Sequence, residues 1–315
     1  MDDERRTATP AGPPPGPPSG PRDPGDAWAY GEDGTKAWGR FGAAGLLVDD
    51  GHGRVLLQHR VEWSHHGDTW GIPGGARHQH EDPVTAALRE SAEEAGVPDD
   101  AVDLRHTAVL DLGFWTYTTV VGRASRPFEP VMADRESLAL AWVPVPDVDT
   151  LDLHPGFGRS WAALSATLDR TPHVVVDAAN VVGSVPDGWW KDRAGAATRL
   201  VEQVRALAAA GVPATALDLP STAWWPRWTV VLEGEARSAT TEPVPSAPRP
   251  GLPPVTIDRA AASGDDAVVA AVEAAVAAGD APVVVVTADR GLRDRVQVLG
   301  ADVRGPGWLR ELLPD

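Results

Sequence analysis

Residues 70–97 read WGIPGGARHQHEDPVTAALRESAEEAGV, and this stretch decides the fold of the first half of the chain. It opens with a turn around consecutive glycines, which let the backbone approach a ligand closely. A helix is predicted from Pro83 to Ala95, because apolar residues recur there at spacings of three and four. Proline suits the first turn of a helix, and Gly96 suits its end. The stretch therefore predicts a glycine turn followed directly by an amphipathic helix.

Three glutamates crowd one side of this predicted helix. Glu90 lies three residues before Glu93 and four before Glu94, and side chains at these spacings are neighbours on a helix surface. Like charges placed in this way destabilise a bare helix. The pattern is typical either of a solvated acidic face or of a site for Mg²⁺ or Mn²⁺, whose charge offsets the repulsion. The charge pattern alone leaves both interpretations open.

The order and spacing of the residues in this stretch resemble the Nudix box. The lead-in from Trp70 to Gly75 is similar to the W-x-x-PGG of that family. Ser91 departs from the box, which usually has an aliphatic residue there, on the core side of the helix. The resemblance covers about residues 38–168 and implies an α/β/α sandwich with a mixed sheet. The residues that carry it are Gly75, Glu81, Arg89, Glu90, Glu93, Glu94 and Gly96.

The resemblance implies metal-assisted attack of water on the diphosphate of a nucleotide derivative, such as a nucleoside triphosphate, 8-oxo-dGTP or ADP-ribose. Glu90 and Glu94 would ligate Mg²⁺ or Mn²⁺, and Glu93 would assist them. The carbonyl of Gly75 would complete the coordination. Glu90 would also orient or deprotonate the attacking water. Such catalysis must neutralise the phosphate oxygens and orient the water.

Three further residues are expected to support this site. By the resemblance, Arg89 would pair with a box carboxylate and hold its geometry, and Glu81 would brace the loop. Family members often add a carboxylate from a later loop. Glu136 is a candidate for that role, although a surface charge is an equally good interpretation.

Substrate contacts are expected outside the box. Arg60, after VLLQH, would face a phosphate or be exposed, and Trp70 would stack on a base or pack at the rim. Histidines at 65–66 and at 78 and 80 flank the glycine turn. Without cysteine or helical i,i+4 pairing, we interpret them as phosphate-contacting or exposed residues rather than a zinc site. The other aromatic candidates are Trp63, Phe114, Trp115 and Tyr117.

A second pattern begins near Pro172. The segments HVVVDAANVV and APVVVVTADR carry unbroken β-branched runs, which are typical of strands buried on both faces of a parallel sheet. Helical segments at about 190–210 and 265–278 lie between them. This alternation of strand and helix predicts a second α/β domain over 171–315, after a first domain over 38–168.

Carboxylates follow the predicted strands of the second domain. Asp177 and Asp289 lie where parallel strands end, and ligands of open α/β sheets bind there. Asp265 and Asp266 open a helix, where acids also serve as caps. The strings VVVDAANVVGS and VVVVTADRGLRDRV resemble the PIN-like NYN nucleases, whose superfamily cleaves RNA. By this resemblance Asp177, Asp266 (or Asp265) and Asp289 would hold metal. The supporting residues would be Asn180 and Thr287, with Glu233 or Glu235 as a further contributor.

The amino-acid composition limits which partners the protein can bind and in which cellular compartment we expect it. The net charge of −17 argues against bulk electrostatic binding of nucleic acid, which needs clustered cations. The absence of cysteine excludes disulfides, Cys-ligated zinc and thiol catalysis. The chain lacks a signal-like N-terminus and any run of about 18 apolar residues, so we expect a soluble cytoplasmic protein without membrane contact. Residues 1–37, with the Pro/Gly-rich stretch 11–25, are predicted to form a disordered arm.

Three functions remain open on the sequence. The leading one is a Mg²⁺-dependent Nudix hydrolase fused to a PIN-like domain that cleaves or binds RNA. The second is an RNA endonuclease, in which the Nudix domain recognises a nucleotide or an RNA end. The third is a non-catalytic nucleotide sensor, and the intact acidic box argues against it, because a pure sensor need not keep three repelling glutamates.

Overall fold

The computed structural model describes residues 23–132, 135–186, 188–241 and 249–314. The strands of its first half are β1 (Trp28–Tyr30), β2 (Lys36–Trp38), β3 (Ala43–Asp49), β4 (Arg54–Arg60), β5 (Trp70–Gly71), β6 (Gly74–Ala76), β7 (Val102–Asp111), β8 (Thr116–Ala124) and β9 (Ser137–Pro144). The helices of the same half are α1 (Pro83–Ala95) and α2 (Pro155–Ser165).

The strands of the second half are β10 (His173–Asp177), β11 (Val212–Pro213), β12 (Ala223–Trp224), β13 (Arg227–Leu232), β14 (Val255–Arg259), β15 (Val283–Val286) and β16 (Asp302–Arg304). Its α-helices are α3 (Ala178–Gly183), α4 (Arg193–Ala210), α5 (Gly264–Ala277), α6 (Arg290–Val298) and α7 (Pro306–Leu312). Within the described ranges, no helix is both long and apolar enough to cross a membrane.

A nine-stranded mixed sheet forms the centre of the first half. Its order is β11-β12-β7-β8-β3-β4-β5, with β6 paired to β3 and β9 paired to β4. Strands β3 and β8 run parallel, from Ala43 opposite Tyr117 to Asp49 opposite Arg123. The other pairs in this sheet are antiparallel. The predicted mixed sheet is therefore confirmed.

One helix covers each face of this sheet. Successive side chains of a strand point to opposite faces. Accordingly, Leu46 of β3 packs with Val84 of α1, whereas its neighbour Leu47 packs with Trp161 of α2. The result is the predicted α/β/α sandwich, and it places α1 directly behind the glycine turn.

Helix α1 has the predicted bounds because both of its ends are capped. The side chain of Asp82 accepts a hydrogen bond from the backbone N–H of Thr85, and Pro83 occupies the first turn. Gly96 ends the helix in the left-handed conformation, with φ 62°. The hydroxyl of Ser91, the departure from the box, is buried and donates to the carbonyl of Leu88 at 2.9 Å. The polar residue on the core side is therefore satisfied within the helix.

The second half contains a parallel five-stranded sheet in the order β14-β13-β10-β15-β16. Helices cover both of its faces. Val174 of β10 packs into the cluster that includes Leu200 of α4, and Val175 packs into the cluster that includes Val272 of α5. Burial on both faces explains the continuous β-branched runs in the sequence. The predicted parallel α/β arrangement is thus present.

The N-terminal segment differs from the prediction of a disordered arm. Strands β1 and β2 form an antiparallel hairpin in which Trp28 lies opposite Trp38 and Tyr30 lies opposite Lys36. The two tryptophan rings meet edge to face, with centroids 5.3 Å apart. The prediction is wrong for residues 23–37, and residues 1–22 lie outside the described part of the chain. A local signal was present, because Asp33-Gly34 is a typical hairpin turn between two short β-rich runs.

The two halves are also joined more closely than the predicted boundary suggests. Strand β12 adds to the edge of the first sheet, with Trp224 opposite His106 of β7. The next residue, Trp225, is buried in the same cluster as the residues of α1. Unpaired backbone groups at the edge of β7 provide the reason, since an edge strand accepts a further strand. The hydrophobic core of the first half therefore includes a residue from beyond position 171.

Candidate active site

Arg89 is the centre of the charge network on α1. Its Nε and one terminal nitrogen each donate to a different carboxylate oxygen of Glu81 at 2.9 Å. The other terminal nitrogen donates to Glu90 at 2.8 Å and to Glu93 at 3.2 Å. The carbonyl of Ala76 accepts a further bond at 3.1 Å. Hydrogen bonds to Glu81, above all, raise the pKa of Arg89. The planar guanidinium suits such a fork, and the predicted pairing of Arg89 with box carboxylates is present.

Glu81 connects this network to the loop before the helix. Its carboxylate accepts from the backbone N–H of His78 at 2.9 Å. Its backbone carbonyl accepts from the guanidinium of Arg77 at 2.6 and 3.1 Å. The hydrogen bond from Arg89 is the main cause that lowers the pKa of Glu81. Glu81 thus remains charged and braces the loop in the position that the sequence predicts.

Glu94 joins the helix to the glycine turn. Its side chain is buried, and it accepts a hydrogen bond from the backbone N–H of Gly74 at 2.8 Å. A Cβ at Gly74 would overlap the backbone of Ala44 and Gly45 in β3. Only glycine can therefore hold the turn this close to both the strand and the helix.

Glu90 faces the next residue of the turn. A Cβ built on Gly75 would lie 2.6 Å from one carboxylate oxygen of Glu90. Burial raises the pKa of Glu90 to about 7, and the charges of Glu93 and Asp26 add to this effect against that of Arg89. The side chain of Glu93 is 61% exposed and lies at the outer edge. The site therefore holds a buried carboxylate whose cationic partner is Arg89.

This donor set fits a hard divalent cation. Mg²⁺ and Mn²⁺ prefer carboxylate and carbonyl oxygens, and Glu90, Glu94 and the carbonyl of Gly75 offer such oxygens around one turn. A buried carboxylate is costly without a countercharge. Burial raises the pKa of Glu90, and a bound cation would add a countercharge at this position.

Comparisons with known proteins identify the family of this chain. The family model described as "NUDIX domain" matches residues 39–164. A protein of Mycobacterium tuberculosis named "Putative 8-oxo-dGTP diphosphatase 3" is 47% identical over 161 residues, which span 48% of this chain and 74% of that protein. The chain belongs to the Nudix family. A Nudix hydrolase fusion protein of Bifidobacterium longum is 39% identical over 155 residues, which span 47% of this chain and 32% of that protein. The solved structure of the Nudix hydrolase RenU from M. smegmatis is 46% identical, with a TM-score of 0.43, over 45% of this chain and 94% of that chain.

Membership of the Nudix family makes this protein an enzyme, a pyrophosphohydrolase. Nudix hydrolases generally use divalent metal ions such as Mg²⁺, and the oxygens around Glu90 and Glu94 fit that requirement.

The aromatic residues near the Nudix box are mostly engaged in packing. The ring of Trp70 stacks on His59, with centroids 4.8 Å apart and planes at 7°. The indole of Trp115 donates to the carbonyls of Trp38 and Gly39 at 3.0 and 2.9 Å. Tyr117 packs in the core on the α2 side of the sheet. These contacts favour the packing interpretation of the aromatic candidates over base stacking.

Arg60 is the last residue of β4. Its Nε is buried and has no hydrogen-bond partner among the described residues. Its charge acts on His65, on His154 and on Tyr117. The backbone carbonyl of Glu136, the candidate for a later carboxylate, accepts from Val61 next to it at 3.0 Å. Arg60 is therefore a cation with an unused donor beside several imidazoles.

Sequence reasoning missed the contribution of the N-terminal segment to this site. The charge of Asp26 raises the pKa of Glu90, so Asp26 lies close enough to act on it. The carboxylate of Asp23 lies 3.9 Å from the ring of His78 in the loop braced by Glu81. The hydrogen bonds from Trp115 to residues 38 and 39 attach the same segment to β8. The hairpin therefore lies next to the glutamates of the box.

A second group of carboxylates lies beyond the Nudix domain, at the carboxyl end of the parallel sheet. Asp177 accepts hydrogen bonds from the backbone and side-chain amides of Asn180 at 3.1 and 2.7 Å, and from the Thr287 hydroxyl at 2.8 Å. Burial raises the pKa of Asp177. Asp289 caps α6 through Leu292, and its own N–H donates to Thr287 at 3.1 Å. The predicted support by Asn180 and Thr287 is present in the structure.

Of the two adjacent acids that the sequence offered, Asp265 rather than Asp266 faces the other carboxylates. Asp266 forms an ion pair with Arg295 at 2.7 Å. In contrast, burial and then the charges of Asp289 and Asp177 raise the pKa of Asp265. The two residues are adjacent on α5 and project in different directions, and the sequence could not decide between them.

Glu233 is a fourth acid near this position. Its carboxylate accepts from the backbone N–H of Gly264 at 3.0 Å, just before Asp265. Its charge also raises the pKa of Asp177. Glu235 instead lies 3.6 Å from Arg193, at an exposed position. The structure thus favours Glu233 over Glu235 as the additional carboxylate.

Proposed function

We propose that the Nudix domain hydrolyses the diphosphate linkage of a nucleotide, with Mg²⁺ or Mn²⁺ held by Glu90 and Glu94 and assisted by Glu93 and the carbonyl of Gly75. The observation that carries this proposal is the junction of turn and helix. The hydrogen bond from Gly74 to Glu94, at 2.8 Å, brings the backbone of the turn and the carboxylates of the helix to one place.

The side chains of this junction have distinct tasks. A bound cation would neutralise the phosphate oxygens and lower the pKa of water. Glu90 orients the water and accepts its proton, since its carboxylate lies against Gly75 of the turn. Arg89 holds Glu90 in place. The guanidinium of Arg89 does not contact substrate, because its other N–H groups donate to Glu81, Glu93 and the carbonyl of Ala76. Arg89 is therefore a positioning residue.

The substrate that we propose first is an oxidised or surplus nucleoside triphosphate. Support comes from the M. tuberculosis relative, whose name includes 8-oxo-dGTP diphosphatase. ADP-ribose and dinucleoside polyphosphates are the alternatives, since they carry the same diphosphate group. Product analysis decides between them, because each substrate gives a different pair of products.

The experiment is a chromatographic product assay with Mg²⁺ on nucleoside triphosphates, 8-oxo-dGTP, ADP-ribose, dinucleoside polyphosphates and NADH. Glu94→Gln should abolish turnover, because the neutral amide loses a metal ligand. Glu273→Gln, a matched change at an exposed position of α5, should turn over at the wild-type rate. Wild-type turnover in Glu94→Gln would refute the proposed site, and the products identify the bond that is cut.

We propose a second activity for residues 171–315, a PIN-like domain of the NYN type that cleaves RNA with a divalent metal ion. The observation in its favour is the meeting of Asp177, Asp265 and Asp289 from three separate segments. The charges of Asp289 and Asp177 both raise the pKa of Asp265, which supports this arrangement. Carboxyl ends of parallel strands are where open α/β sheets bind ligands.

The test uses labelled single-stranded RNA with Mg²⁺ or Mn²⁺ and two matched variants on α5. Asp265→Asn should abolish cleavage, whereas Asp266→Asn should retain it, because its carboxylate is paired with Arg295. Asp289→Asn should also abolish RNA cleavage and leave nucleotide turnover unchanged. Equal RNA cleavage by Asp265→Asn and the wild type would refute the proposed site, and a wild type that does not cleave RNA would refute the second activity. The Nudix domain would then act alone.

A further inference from the structure

Three histidines meet beside the Nudix domain's Arg60. His65 and His66 lie in the connection from β4 to β5, and His154 directly precedes α2. Their ring nitrogens come within 4.8 Å of one another, and no other trio of His, Asp or Glu side chains in the described ranges does so. The ring centroids are 4.1 Å apart for His65 and His66, and 5.0 Å apart for His66 and His154. Residues about ninety positions apart in the chain thus form one cluster.

The charges around this cluster are positive. The pKa of His154 falls to about 4, because of burial first and then the charges of Arg60, His66, His65 and Arg159. The pKa of His65 is also lowered, by burial and then by His66, Arg60 and Lys36.

Lys36 reaches the cluster from the N-terminal hairpin. Its ammonium lies 4.5 Å from the ring centroid of Trp28, and Trp28 in turn meets His65 edge to face at 5.1 Å. The hairpin therefore adds a cation to the group of imidazoles, and this positive surrounding disfavours a metal cation and favours an anion.

The tautomer of His154 leads to the same conclusion. Its Nδ1 accepts a hydrogen bond from the backbone N–H of Gly156 at 3.1 Å, where it caps α2. A neutral imidazole that accepts at Nδ1 carries its proton on Nε2. The Nε2 of His154 is therefore a donor, whereas a metal ion would require a lone pair there. Arg60 adds the buried Nε–H that has no partner among the described residues.

The histidine cluster is connected to the glycine turn of the Nudix box. The backbone N–H of His154 donates to the carbonyl of Trp70 at 2.7 Å, and Trp70 begins the stretch that leads to Gly74. Tyr117 is electrostatically coupled to both regions, because the charges of Arg60, Glu94 and Glu90 all affect the pKa of its hydroxyl. The cluster is therefore linked to the box carboxylates through Trp70 and the glycine turn, and through Tyr117.

We propose that Arg60, His65, His66 and His154 form a binding site for a phosphoryl group, namely one in the polyphosphate chain of the nucleotide substrate that is remote from the metal-binding glutamates. The identity of this occupant as part of the substrate rests on the proposed pyrophosphohydrolase function. The conclusion that the site donates hydrogen bonds to an anion does not rest on that function. Phosphate oxygens accept hydrogen bonds from guanidinium and imidazole N–H groups. The site would favour substrates with a longer polyphosphate chain.

The experiment titrates inorganic pyrophosphate into the full chain in EDTA and follows the histidine ring signals by two-dimensional NMR. The signals are assigned with single His→Gln variants. Pyrophosphate should shift the signals of His65, His66 and His154, and His66→Gln at an exposed position should weaken binding by about tenfold. His52→Gln, in the exposed turn between β3 and β4, is the matched control and should leave the affinity unchanged. Arg60→Met should weaken binding at least as much as His66→Gln.

Three other results of this titration would contradict separate parts of the reasoning. Shifts of the three signals with ZnCl₂ but not with pyrophosphate would overturn the proposal in favour of a metal site. Orthophosphate that binds as tightly as pyrophosphate would mean that the site takes free phosphate, which would overturn its assignment to the substrate chain. Because the titration needs no turnover, pyrophosphate binding without nucleotide hydrolysis would refute the proposed function alone.

Discussion

The fork between Arg89 and Glu81 allows a quantitative test of how the Nudix carboxylates are held together. Arg89→Lys keeps the charge but cannot make two parallel hydrogen bonds to Glu81, which are both 2.9 Å long in the structure. A hydrogen bond to a charged group contributes about 1.5–3 kcal/mol. Lysine retains part of the network, so we expect the free energy of unfolding to fall by about 2–3 kcal/mol in EDTA.

Divalent metal should reduce this loss. In the variant the carboxylates of Glu81 and Glu90 are less well compensated, and these side chains are only 11% and 15% exposed. A cation bound at Glu90 stabilises the folded state by mass action. The difference in the free energy of unfolding between Arg89→Lys and the wild type should therefore be smaller in saturating Mg²⁺ than in EDTA.

The measurement is urea unfolding followed by tryptophan fluorescence, in EDTA and in MgCl₂. Arg126→Lys is the matched control. Its ion pair with Asp100 is 2.6 Å long, but the two side chains are 49% and 78% exposed, so the change should leave the stability nearly unchanged. Equal stability of Arg89→Lys and Arg126→Lys in EDTA would refute the idea that the fork holds the site together.

Three further predictions test other parts of the structure. Gly75→Ala should lower kcat by at least about tenfold, because its Cβ would lie 2.6 Å from Glu90. The control is Gly307→Ala, whose Cβ would meet open space and which should leave kcat unchanged. Equal kcat values for the two variants would contradict the close approach of Gly75 to Glu90. Burial lowers the pKa of His106 to about 3 in the folded protein. As the pH falls below 6.5, His106 is therefore protonated in the unfolded chain before it is protonated in the folded one. The free energy of unfolding should consequently drop by about 2 kcal/mol at pH 5. Urea unfolding from pH 7 to 5 should show a shallower pH dependence in His106→Gln, and an unchanged slope would argue against the buried neutral form. Trp225→Ala should cost about 3–5 kcal/mol and speed hydrogen exchange in α1, because the indole packs in the core of the Nudix domain; exchange limited to the second half would contradict that packing.

The box helix and its glycine turn are predictable because they depend on local spacing. The helix bounds follow from Pro83 and Gly96, and the shared face of Glu90, Glu93 and Glu94 follows from helical periodicity. The β-branched runs before Asp177 and Asp289 likewise predict parallel strands that end at one edge of a sheet. In each case the decisive residues lie within about one turn or one strand of one another.

Other features depended on which surfaces meet. The sequence placed Asp265 and Asp266 at the start of one helix, but only the position of Arg295 on α6 shows that Asp266 is paired and that Asp265 faces the other acids. The histidine cluster likewise needs α2 to place His154 beside His65 and His66. Neither arrangement has a local sequence signal.

The sequence by itself determined the Nudix box, the helix that carries its glutamates and the parallel α/β character of the second half, because periodicity and capping act over a few residues. The tertiary structure alone decided that β12 joins the first sheet, that Trp225 enters its core and that the hairpin of Trp28 lies beside the site. These contacts join segments far apart in the chain. Their stability comes from edge pairing and buried area between surfaces, and neither quantity can be derived from the spacing of residues along the chain.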